Sequence, residues 1–301
     1  MICTLSLTSV LLIFAQSEDV PADNSDTPDT TEDVVEIDPV EALDKIKAAI
    51  KSESDVIILD SIEVYKDVQD KKVIGEFYKL LKHKSVDIRL AALEAMRFNE
   101  DDEALKRLIA FGKNKILKED TDYLTEYIYA LGQKADKKAT KLIKDDLNIT
   151  STSTKEVLEA RVYALGRIRQ VDSIETLLQF SQSSNRGGNR RRMSPKMRVE
   201  VQTSLAILTG VELGDQLLDW TKWWSDNKRS FKISKTEGTI SNARLQNKWK
   251  SLWLTEEQKA QAIKDFKEDR TQKRKDAKGD DADKGDDKKK KDSGDDGLID
   301  F

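Results

Sequence analysis

Between residues 39 and 210 apolar side chains return every three or four positions, and polar turns divide the pattern into segments of roughly two to four helical turns. Leu43, Ile46 and Ile50 define one apolar face, Val56, Leu59 and Ile62 a second, and Val73, Phe77 and Leu80 a third. Helices this short are marginal in isolation, so each stripe is expected to be buried against a neighbouring helix.

The segments align with one another. Ser61-Ile62-Glu63-Val64-Tyr65-Lys66, Ala92-Leu93-Glu94-Ala95-Met96-Arg97, Tyr127-Ile128-Tyr129-Ala130-Leu131-Gly132 and Arg161-Val162-Tyr163-Ala164-Leu165-Gly166 superimpose, with Ile62, Leu93, Ile128 and Val162 spaced by 31, 35 and 34 positions. A fifth block, Ser204-Leu205-Ala206-Ile207-Leu208-Thr209-Gly210, fits after an insertion. Second amphipathic stretches over 104–111, 139–147 and 173–180 follow three of the blocks. A period of this length predicts an array of helical hairpins stacked on their neighbours. Small residues at Ala95, Ala130 and Ala164 would let helices approach closely, and Gly132 and Gly166 are expected to end their helices in left-handed caps.

The stretches VDIRLAALEAM (86–96) and LEARVYALGRI (158–168) resemble the short bacterial HEAT repeats related to phycobilisome-lyase repeats. The resemblance spans residues 39–210 and extends into LTGVELGDQLLDWTKWW (208–224), which is similar to the Leu-Thr-Gly, Gly-Asp and Trp-x-x-Trp-Trp ending found after the last repeat of many such proteins. It implies an all-α, HEAT-type α-solenoid of about five helical-hairpin repeats. The first two blocks lack the Leu-Gly pair, and the Asp-Arg of the inner helix survives only in Asp87-Ile88-Arg89. Function does not follow from such a fold, whose members serve unrelated ends.

Composition agrees with helices: Gly numbers 13 and Pro only 4 in 301 residues. With 36% of residues charged, part of the chain must lie outside any core. Residues 1–17 read as a secretory signal peptide, an apolar run at 2–14 too short to span a bilayer followed by Ala15-Gln16-Ser17. The absence of any Lys or Arg before Lys45 is atypical for such a signal. Export to a periplasmic or extracellular space is the expectation, with membrane association only through an uncleaved signal or through surface charge. Residues 18–38, acidic and poor in bulky apolar groups, read as a disordered linker, and 39–232 as the repeat domain with its tryptophan cap. An extension with a terminal helix ending near Arg270 would occupy 233–270, and a disordered Lys/Asp-rich tail 271–301.

Catalytic chemistry finds few candidates. His83 is the only histidine and Cys3, inside the expected signal, the only cysteine. A histidine dyad, a cysteine nucleophile and a multi-histidine metal site are therefore excluded for the mature chain, and no phosphate-binding glycine loop or Gly-x-Ser-x-Gly elbow occurs. The reading is of a non-enzyme without cofactor or metal.

Binding residues are expected elsewhere. The helices near 88–97, 124–131 and 157–168 would line a concave face, on which Arg89, Glu126 and Arg161 would meet a protein partner. Trp220, Trp223 and Trp224, at i, i+3 and i+4, read as the cap of the last apolar face, with a carbohydrate platform as the alternative. Trp249 and Trp253, at i and i+4 before the capping box Thr255-Glu256-Glu257-Gln258, would dock the last helix on the repeats or on a partner, and are the best candidates for exposed hotspots. Arg186, Arg190, Arg191, Arg192, Lys196 and Arg198 form a basic loop that is either a solvated insertion or an anion site. Nucleic acid is not expected as a partner, since no aromatic residues interleave these cations. The preferred function is an exported scaffold binding a protein. A tethering protein holding acidic polymers or surfaces through the basic loop and charged tail is the alternative, and a phycobilin-lyase-like chaperone a remote one.

Overall fold

The computed structural model describes residues 37–146, 154–183 and 197–280, and all regular elements among them are helices. They are α1 (Pro39–Lys51), α2 (Asp55–Tyr65), α3 (Lys71–Leu80), α4 (Val86–Phe98), α5 (Asp102–Phe111), α6 (Ile116–Glu119) and α7 (Thr121–Gln133). The five-residue α8 (Lys137–Lys141) runs into a π-helical turn, Leu142–Asp146. There follow α9 (Lys155–Arg167), α10 (Val171–Ser183), α11 (Arg198–Thr209), α12 (Leu217–Asn227), α13 (Ala243–Ser251) and α14 (Glu256–Asp280). The expected signal peptide, the acidic linker up to Glu36, the basic loop from Arg186 to Lys196 and the tail from residue 281 lie outside the described residues.

Aspartate starts five of these helices. The carboxylates of Asp38, Asp70, Asp101, Asp120 and Asp136 each accept a backbone N–H of the first turn, a cap that stabilises a helix by about 1 kcal/mol. Apolar stripes then pack the helices on their neighbours. α2, α4, α7, α9 and α11 form one row in which each helix packs on the next, while α1, α3 and α5 form a second row behind it and α10 packs on α9, α11 and α12. The five aligned blocks fall on the five helices of the first row.

Polar contacts also repeat at the spacing of the blocks. The buried Asn99 amide, just after α4, donates to the Val68 carbonyl after α2, and the Lys134 ammonium after α7 donates to the Asn99 carbonyl. Burial pulls the Lys134 pKa down to about 8. The buried Tyr123 hydroxyl donates to the Leu81 carbonyl at 3.1 Å and that of Tyr127 to Leu108 at 2.6 Å, while Phe111 packs edgewise against Tyr78 and Tyr123.

Three expectations change. Gly132 and Gly166 do not cap helices; both remain helical, and α7 and α9 continue beyond them. They are glycines because the helices touch there: a Cβ on Gly132 would lie 2.8 Å from the Ala164 Cα, and one on Gly166 2.6 Å from the Ser204 Cβ. Left-handed residues instead follow α1 at Glu53 and α7 at Ala135, and Gly210, with φ of 72°, ends α11. On α2 the buried face is Ile58 and Ile62, leaving Val56 67% exposed, because helix spacing from Ile62 selects position 58. The last helix reaches Asp280 rather than Arg270, since its mixed charges support i,i+4 pairs such as Asp269–Lys273 at 2.8 Å and Gly279 is its first helix breaker.

Candidate binding face

After α12 the chain turns back and crosses the first row of helices in reverse order, from α11 to α2. The Gly238 amide donates to the Ile207 carbonyl of α11 at 2.9 Å. A Cβ on Gly238 would sit 2.6 Å from the Ala206 carbonyl oxygen, so only glycine fits this approach. Glu237 pairs with Arg167 of α9 at 2.6 Å through one carboxylate oxygen and accepts the Trp249 indole N–H at 2.9 Å through the other. Asn242 caps α13 by accepting the amides of Arg244 and Leu245.

α13 and the turn that follows it carry two anchors. Trp249 is 0% exposed and packs edgewise on Tyr163 of α9, with Ala206 and Ile207 of α11 in the same cluster. Trp253, 5% exposed, packs edgewise on Tyr129 of α7, lies under the Arg167 guanidinium and comes within 3.0 Å of where a Cβ on Gly132 would be. The two indoles meet at 5.4 Å between centroids. Farther on, Arg97 of α4 donates to the Leu252 carbonyl and stacks on Tyr129. The capping box forms as expected, the Thr255 amide donating to Gln258 Oε1 and the Gln258 amide to Thr255 Oγ1. Lys66, at the end of α2, pairs with Glu257 at 2.7 Å and with Glu63 at 2.8 Å. That pairing holds the Glu257 carboxyl well below its ordinary value, at about 2, while burial plays little part.

Beside this segment a groove of about 640 Å³ opens between α4, α7 and residues 251–259. Leu90, Leu93, Phe98, Tyr129, Leu252 and Leu254 supply its apolar walls. Of its charged groups, Arg97 faces Glu126 at 3.5 Å and Lys259 holds Glu256 at 2.6 Å. Glu94, exposed on the groove, has neither a hydrogen bond nor an ion pair; desolvation pushes its carboxyl pKa up, partly offset by the nearby charges of Lys66 and Arg97.

The residues expected to meet a partner have divided. Glu126 is exposed, its side chain at 48%, and stands on the wall of the groove. Arg161 is not a surface residue: at 2% exposure it donates to the carbonyls of Ile143 and Lys144 in the π-helical turn and stacks on Phe180, so a long cation has been drawn in to satisfy irregular backbone. Arg89 is also engaged within the chain, pairing with Asp120 at 2.9 Å, donating to His83 and Lys84 carbonyls and stacking on Tyr123. Trp249 and Trp253 are buried by docking on the chain's own helices, which corrects their expected role as exposed hotspots. Trp220 and Trp224 are buried in the main core with Trp223 partly so, and Phe231 packs edgewise on Trp223 and Trp224. Of the basic group only Arg198 is described, and it pairs with Asp215 at 2.7 Å.

The sequence reading missed the column that prepares this face. The third position of the aligned blocks holds Glu63, Glu94, Tyr129, Tyr163 and Ala206 in turn. Tyr129, Tyr163 and Ala206 seat the two tryptophans, Glu94 lines the groove, and Glu63 shares Lys66 with Glu257. Two tyrosines in register outside the buried stripe were a signal of a covered face.

No protein-family model matches this chain, and no curated protein shows significant similarity to it. No helix among the described residues is long and apolar enough to cross a membrane, and no three His, Cys, Asp or Glu side chains among them come together as a metal-binding group.

Proposed function

We propose that this chain is an exported, non-catalytic HEAT-type solenoid that binds a protein partner on the face made by α4 and α7. The row of five helices, the aligned blocks along it and the hydrogen bonds that recur at their spacing support the solenoid reading. The observation that carries the binding reading is the groove at α4, where apolar walls stand beside the exposed carboxylate of Glu94, which has no cation bonded to it. A carboxylate beside apolar walls gains from an incoming positive charge. The partner is accordingly a polypeptide segment with aliphatic or aromatic side chains flanking a lysine or arginine.

A cross-linked pull-down of residues 18–301 from the extracytoplasmic fraction, at low and high salt, tests this. Glu94→Lys together with Leu254→Asp should lower recovery of a salt-resistant protein partner at least about tenfold, the effect of losing one buried charge pair and its apolar neighbour. Undiminished recovery would remove the groove from consideration. Recovery of only salt-labile acidic material would favour tethering by the basic loop and charged tail instead.

A further inference from the structure

The part of this face that is already covered points to the kind of helix it accepts. Residues 237–257 form a hydrophobic cluster with the row beneath them, made by Trp249, Trp253, Ile240, Tyr163, Ala206 and Ile207, which meets the main core through Tyr129. α13 has nine residues, too few to stay helical away from a surface, so its helix depends on being docked. Its grip consists of two indoles four residues apart and a few polar ties, the Arg167–Glu237 and Lys66–Glu257 pairs among them. The fit is incomplete: the Trp253 indole N–H is buried without an acceptor, as is Arg97 Nε beneath the same segment. The nine residues 228–236 that lead into it contain no helix.

We propose that the face of α7, α9 and α11 is a helix-binding groove, that residues 237–257 are its exchangeable resident, and that a partner segment bearing the same two tryptophans, one on a short helix between lysines and one just past its end, takes their place. This rests on the reading of the chain as a binding module, but it concerns the covered half of the face. The chemistry is helix-in-groove recognition, with aromatic anchors supplying the contact. Lys248, lying over the Tyr163 ring and within electrostatic reach of the buried Glu200 carboxyl, explains why a base belongs beside the first tryptophan. The resident excludes other helices because its tether keeps it at a high effective concentration, on the order of millimolar. Undocking it would take away the Leu252 and Leu254 wall of the groove at α4 and leave the row open as one continuous face.

The test uses a fluorescent synthetic peptide of residues 237–257. The full chain should bind it at least about 100-fold more weakly than the Trp249→Ala/Trp253→Ala chain, whose groove is vacated, as expected for competition with a tethered copy. A peptide with both tryptophans replaced by alanine should bind neither. Equal affinities for the two chains, or no binding to the variant while its circular dichroism remains helical, would overturn the proposal. Should the variant unfold, a protease site inserted between Thr236 and Glu237 gives a second measurement. After cleavage the peptide should displace the C-terminal fragment on size-exclusion chromatography, and a fragment that never exchanges would overturn the proposal. The peptide includes Leu254, but neither readout uses the Glu94→Lys/Leu254→Asp variant, so failure here leaves the α4 groove to be judged by that variant.

Discussion

Trp220, Trp223 and Trp224 on α12, and Trp249 on α13 with Trp253 two residues past its end, are similarly spaced in sequence, yet they do different work. The α12 set is part of the main core: Trp220 donates its indole N–H to the Gly214 carbonyl at 2.9 Å, and Phe231 packs on the other two rings. The second set builds a smaller cluster that meets the core through Tyr129, in which Trp249 is bonded to Glu237 of its own segment and Trp253 has no acceptor. Burial alone does not separate them, since Trp220 and Trp249 are both almost fully enclosed. What differs is whether the surrounding helices need the tryptophan for their own packing.

Paired substitutions can break that comparison. Trp220→Ala should cost about 3–5 kcal/mol and lower the main thermal transition by roughly 10 °C, since the cavity opens in the core shared by α10 and α12. Trp249→Ala removes as much buried surface, but its effect should be confined to residues 237–257. Circular dichroism melts would then move by only a degree or two, on the order of what a peripheral contact gives, while hydrogen exchange rises sharply in that segment. If Trp249→Ala lowered the main transition as far as Trp220→Ala, the segment would be an integral layer of the fold and the distinction would collapse.

Gly132 belongs to both regions, and Gly132→Ala should therefore disturb both. The added methyl would press on Ala164 at 2.8 Å and on Trp253 at 3.0 Å, an overpacking that costs about 1–3 kcal/mol. Gly210→Ala is the control. Its methyl meets nothing within 4 Å, so the cost is the left-handed backbone alone, about 1–2 kcal/mol, with no loss of protection in residues 237–257. Hydrogen exchange that fails to distinguish the two variants would mean that Trp253 does not read the α7–α9 contact.

Much of this architecture was legible in the sequence, because apolar spacing and caps are local. The blocks at Ile62, Leu93, Ile128 and Val162 do fall on successive helices of one row, and the Thr255–Gln258 capping box forms as written. Gly132 was misread because a glycine before a polar turn has two uses, a left-handed cap and a close approach, and only the position of Ala164 decides between them. Arg161 was misread for a related reason. Its partners are main-chain carbonyls of a π-helical turn, and no residue type announces such a turn. The candidate groove was invisible because one wall comes from α4 and α7 and the other from residues over a hundred positions later. Periodicity assigns residues to a face, but it does not say what returns to cover that face.

The smallest expected effect is also the one that links the segment to charge. Glu200 on α11 is buried; burial first, and then a neighbouring Glu159 carboxyl on α9, push its pKa up, while Lys248 of α13 pulls it down. Lys155 pairs with Glu159 at 3.3 Å, so the groups facing Glu200 are one acid with its own base and one base from the docked segment. An acid whose folded pKa is raised weakens the fold when ionised, and that loss disappears as pH falls through the raised value toward the ordinary one. Glu200→Gln should thus raise the melting temperature at pH 7 by roughly one or two degrees and lose its advantage near pH 4, where the native carboxyl is largely protonated. In the Trp249→Ala/Trp253→Ala background Lys248 is no longer held within reach of Glu200, and the gain from Glu200→Gln at pH 7 should be larger. A gain independent of the tryptophans would mean that α9 and α11 bear the charge of Glu200 without help from the segment that crosses them.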